Sequence, residues 1–133
     1  MAMSQTMNNK LVTPAEIQWG TGPAILPAGA QAAVLYGDPT KDGLFSMRFK
    51  LPKGYGVPPH TLSKAGLFTV ISGTFFMGMG EKADPSKARA MPAGSFIALE
   101  PGTPHFVFVD EETNNIGPWV ITYIDPKDDP RQK

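Results

Sequence analysis

The sequence predicts an all-β protein, a sandwich or barrel of short strands in a single domain. Fourteen glycines and fourteen prolines break the 133 residues into short apolar runs, the spacing of strands joined by turns rather than of long helices. Phe45-Ser46-Met47-Arg48-Phe49-Lys50-Leu51 alternates apolar and polar side chains, as a strand with one buried and one wet face requires. The length, 133 residues and 14.3 kDa, suits one domain with a sizeable core and is too short for two.

Along the chain, Thr13-Pro14-Ala15-Glu16 has the layout of a capping box with proline at the first helical position and predicts one short helical turn. Strands are expected near Ala32 to Tyr36, Phe45 to Leu51, Leu67 to Ile71, Thr74 to Met79, Phe96 to Leu99, His105 to Val109 and Trp119 to Ile124. Turns are expected at Gly37-Asp38-Pro39, Ser72-Gly73, Pro92-Ala93-Gly94 and Pro101-Gly102. Residues 1–12 read as a flexible N-terminus, 13–126 as the domain and 127–133 as a charged, solvated tail. The polar stretch Met1 to Lys10 has no apolar core, so neither a signal peptide nor a membrane anchor is expected there. Compartment is left open, cytoplasmic by default, with a mature exported form also compatible.

Twelve basic and twelve acidic residues cancel, which gives no electrostatic footprint for nucleic acid or an anionic membrane and favours a small-molecule partner. Without cysteine there is no disulfide, thiolate metal site or cysteine nucleophile. Lys64 reads as a solvated loop tip, Met77 and Met79 share parity with Phe75 and read as core, and Gly78-Met79-Gly80 is too weak a pattern to suggest a nucleotide.

Chemistry is concentrated in His60 and His105, the only histidines. Counting by twos along their strands places Leu62 beside the first, and Val107 and Val109 beside the second, so both imidazoles should sit among apolar neighbours. Phe106 and Phe108 fall on the opposite face. They should be covered by a second layer or by a twofold partner, and a homodimer is expected on that ground.

Gly54, His60 and Gly73 fit the frame Gly, five residues, His-x-His, three or four residues, Glu, six residues, Gly. Gly94, Gly102 and His105 fit Gly, five residues, Pro-x-Gly, two residues, His, three residues, Asn. With Ile71-Ser72-Gly73-Thr74-Phe75 and Gly117-Pro118-Trp119-Val120-Ile121-Thr122-Tyr123, these spacings resemble the cupins, small single-domain bacterial ones in particular, from Trp19 to Arg131. The resemblance implies a jelly-roll barrel holding a metal by three histidines and a glutamate. At the implied positions Leu62 replaces the second histidine, Gly66 the glutamate, Glu100 the proline and Val109 the asparagine. Thr113-Asn114-Asn115 also reads as a shortened strand that would open one side of the barrel.

No tightly bound cofactor is therefore expected, and a divalent metal at His60 and His105 would be held weakly. Three readings stay open: a weak metal-dependent enzyme using His60, His105 and waters; a metal-free pocket in which the two histidines form an acid–base pair or grip an anion; and a non-catalytic structural relic. Glu100 is an outside candidate as base or replacement ligand. The pocket is expected to be lined by Leu62, Gly66, Leu67, Phe68, Val107 and Val109 and to take a small, mainly apolar ligand.

Overall fold

The computed structural model describes residues 9–117 and 121–132. The start of the expected flexible N-terminus and the Trp119 end of the last expected strand lie outside them. The strands are β1 (Gly20–Thr21), β2 (Gln31–Tyr36), β3 (Ser46–Leu51), β4 (Gly56–Leu62), β5 (Gly66–Ser72), β6 (Thr74–Met79), β7 (Arg89–Pro92), β8 (Phe96–Leu99), β9 (His105–Phe108), β10 (Thr113–Ile116) and β11 (Ile121–Tyr123). They form two antiparallel sheets, one in the order β1-β2-β3-β10-β5-β8 and the other β11-β4-β9-β6-β7. Successive strands such as β4 and β5, or β9 and β10, change sheet, which is how a jelly roll interleaves its layers. Among the described residues no strand pairs from one sheet to the other, so the expected barrel is two facing sheets rather than a closed ring.

Alternation fills the space between them. Met47, Phe49 and Leu51 of β3 and Phe68 and Val70 of β5 point inward from the first sheet. Val57 and Leu62 of β4, Phe75 and Met77 of β6, and Val107 of β9 point inward from the second, all in one buried cluster. A bulge in β4 keeps its histidine inside: Val57 faces Val107 and His60 faces His105, so β4 uses one residue more than β9 over the same span. The extra residue falls at Pro58-Pro59, where absent N–H groups cost the ladder nothing.

Several expectations change. The expected helical turn is a single 3-10 turn, Pro14–Glu16, in which the Glu16 carboxylate accepts from the Thr13 backbone N–H at 2.8 Å. Far from being a trimmed edge, β10 is inserted between β3 and β5 and pairs with both. Residues 126–132 form two 3-10 turns, and Asp129 is buried against Arg131 at 2.8 Å instead of trailing in solvent. Met79, expected in the core, is half exposed at the end of β6. Phe106 needs no partner subunit: it is buried within the chain, its ring laid across Gly78 on the neighbouring strand. Phe108 stacks parallel on Phe76 with centroids 4.9 Å apart, and both are half-buried.

The glycine in that contact is required sterically. A Cβ built on Gly78 would overlap the Phe106 ring, so Gly78→Ala should destabilise the protein by about 1–3 kcal/mol through overpacking. Urea unfolding checks this. The loss should shrink when Phe106→Leu is added in a double-mutant cycle, and additive losses would contradict the contact.

Candidate functional site

The β4–β9 ladder sets His60 directly opposite His105. Their ring centroids are 4.1 Å apart with planes at 61°, and they are 4% and 0% exposed. Each ring is tied to a carbonyl two residues before it: His60 Nδ1 to Pro58 O at 2.7 Å, and His105 Nδ1 to Thr103 O at 2.9 Å. A carbonyl oxygen only accepts, so each Nδ1 must carry the proton and donate it, leaving Nε2 with a lone pair. His105 Nε2 is buried without a partner.

His60 opens onto a cavity of about 50 Å³ between the sheets, lined otherwise by Leu26, Phe49, Leu51, Tyr55, Val57, Leu62, Phe68, Phe75, Val107, Asn115 and Ile121. Tyr55 has its hydroxyl committed to Pro27 O at 2.7 Å. Asn115, inward on β10, keeps a buried Oδ1 with no partner. Leu62 also borders a surface cleft of about 360 Å³ between residues 39–45 and the turn 63–65.

Of the residues expected at the pocket, His60, Leu62, Phe68 and Val107 line the cavity. Val109 is buried in the surrounding core, and Gly66 is buried on the inward face of β5, opposite Leu99, without lining the cavity. Leu67 is a correction. It is 60% exposed, because Gly66, Phe68 and Val70 take the inward positions of β5 and the residue between them must face out. Glu100 is a second correction: it is exposed in the turn after β8, where its backbone carbonyl accepts from Thr103 N–H, and it stands outside the cavity lining. Lys64 sits on the surface, 3.4 Å from Asp42. Asn115, Tyr55 and Tyr123 belong to the site's surroundings without having been singled out in the sequence. Counting by twos along Thr113-Asn114-Asn115 would have put Asn115 on an inner face.

The donor set does not fit the implied three-histidine, one-glutamate metal site. Two imidazole nitrogens remain, Leu62 and Gly66 supply no ligand atom, and among the described residues no group of three or more His, Cys, Asp or Glu side chains is placed to hold a metal ion.

Burial governs protonation. Desolvation, helped by the neighbouring His105, pushes His60 down to about 4, although the hydrogen bond to Pro58 opposes this; burial also lowers His105. Burial thus favours the neutral form of both rings, which works against the acid half of the expected acid–base pair. The same burial makes stability depend on pH. Above pH about 6.5 folded and unfolded chains both carry neutral His60; between about 6.5 and 4 the unfolded chain takes up a proton that the folded chain refuses. Stability should therefore fall as pH drops through that window, by up to roughly 3 kcal/mol from His60. Denaturant melts at pH 7 and pH 4.5 of the protein and of His60→Phe test it: the variant should lose markedly less, and equal losses would contradict the burial argument.

No family model matches the chain, and no curated protein sequence does. Solved structures do match. The polyketide cyclase RemF from Streptomyces resistomycificus superposes with a TM-score of 0.68 at 15% identity, covering 94% of this chain and 92% of that one. A putative acetylacetone dioxygenase from Methylibium petroleiphilum gives 0.68 at 16% identity, covering 94% and 87%. An RmlC-like cupin from Shewanella frigidimarina gives 0.63 at 12% identity, covering 92% and 96%. With the strand order and the facing histidines, these superpositions establish that the chain has the cupin fold.

Proposed function

We propose that the protein binds a small, mainly apolar molecule between its sheets, beside a histidine pair that no longer has the ligands of a full metal site. The observation that carries this reading is a carbon-lined cavity into which His60 and Asn115 bring the uncommitted polar side chains. Its size limits the guest. About 50 Å³ is a third of the roughly 150 Å³ in which an engineered apolar cavity takes benzene, so an undistorted interior suits a guest smaller than a ring. A larger one needs some of the lining side chains displaced, and Leu62, which borders both the cavity and the outer cleft, is the one to vary first.

Xenon is a suitable first probe because it seeks apolar voids. Under xenon pressure, NMR should show saturable shifts confined to methyl groups of the lining residues Leu26, Leu51, Val57, Leu62, Val107 and Ile121. In Leu62→Ala, which should cost about 2–5 kcal/mol, benzene should bind as well. Absence of xenon shifts in the unmodified protein, with no benzene binding in the variant, would leave the structural-relic reading in its place.

A further inference from the structure

The unsatisfied polar atoms between the sheets share one character. His60 and His105 have their N–H groups fixed at Nδ1 by Pro58 O and Thr103 O, so each offers its Nε2 only as an acceptor. His105 Nε2 and Asn115 Oδ1 are buried without partners, and both are acceptors. Arg48 Nε, the remaining buried and unpaired side-chain atom among the described residues, is a donor. It belongs to the outward face of β3, since Met47 and Phe49 on either side point in. Of the side chains that line the cavity, His60 thus offers an acceptor at Nε2, and Asn115 offers its unpaired Oδ1 beside its own amide N–H groups.

Resting on the pocket reading above, we infer that the site selects a molecule whose polar end is a hydrogen-bond donor, of the alcohol or amine class, against ketones and carboxylates of the same shape. An acceptor placed against these atoms leaves both sides unpaired and brings like partial charges together, whereas a hydroxyl or amino group satisfies one or more of them. An anion fares worst, because the one imidazole lining the cavity, His60, turns a lone pair to it and no cation lines it. This replaces the anion-gripping role that the sequence left open for the pair.

The test uses 2-propanol, acetone and acetate, which have the same number of non-hydrogen atoms. Each is titrated into the full-length protein in the presence of a chelator, and binding is followed by NMR at the ring nitrogens of His60 and His105. 2-Propanol should bind about tenfold more tightly than acetone, acetate should bind most weakly, and the Nε2 resonances should move with the alcohol. His60→Phe should retain apolar binding and lose most of the preference; if that variant does not fold, Asn115→Leu should reduce the preference instead. Equal or tighter binding of acetone or acetate, or a preference unchanged in the variants, would overturn the inference while leaving the pocket. If none of the three perturbs the interior, the pocket reading falls with it.

Discussion

Two peptide carbonyls, each two residues ahead of a histidine, decide what the interior of this protein can do. Pro58 O and Thr103 O take the Nδ1 protons of His60 and His105, fixing both tautomers and holding both rings against each other where the β4–β9 ladder aligns them. The arrangement depends on the bulge at Pro58-Pro59. Without the extra residue, His60 would turn to the outer face, and the inner position would go to a neighbour. Proline suits this place because the strand has no N–H to give up there, while its carbonyl remains free to accept from the ring.

The surroundings keep the pair dry. Val57, Leu62, Val107 and Ile121 line the cavity with His60, and Leu26 of the segment 22–29 lines it too, packed with Ile25 against the core. Two tyrosines from the second sheet's side of the core tie this segment down: Tyr55 donates to Pro27 O at 2.7 Å and Tyr123 to Ile25 O at 2.5 Å. Burial, with Asp129 and Asp128 adding to it, pushes Tyr123 up to about 12, so its hydroxyl stays a donor. The C-terminal 3-10 turns bring Asp129 and Arg131 to the edge of a pocket that Ile25 and Tyr123 also line. Hydrophobic burial and a few committed hydrogen bonds thus create an interior in which the remaining polar atoms cannot be satisfied by the chain.

Much of this was legible in the sequence. Period-two alternation marked β3, apolar runs between turn residues marked β2, β5, β6, β8 and β9 but not β7, turn glycines such as Gly73 marked the reversals, and the histidine spacing identified the facing pair. Three things were hidden. Pairing across sheets is non-local, so nothing within Thr113-Asn114-Asn115-Ile116 says that it sits between β3 and β5, and its inward Asn115 was missed with it. Phe106 looked like an interface residue because the glycine beneath it lies on another strand. Leu67 was placed in the pocket by its apolar character, although parity with Gly66 and Phe68 sends it outward. The direction of the histidine hydrogen bonds, which sets the chemistry, depends on carbonyl positions that no side-chain pattern encodes.

The central claim is that His60 and His105 are both neutral, protonated at Nδ1, and presenting Nε2 lone pairs to the interior. Nitrogen-15 NMR of the imidazole rings at pH 7 tests it directly. The account predicts, for both residues, a proton on Nδ1 and an unprotonated Nε2, unchanged down to about pH 5 for His60. A proton on Nε2 of either ring, or an imidazolium at neutral pH, would contradict it.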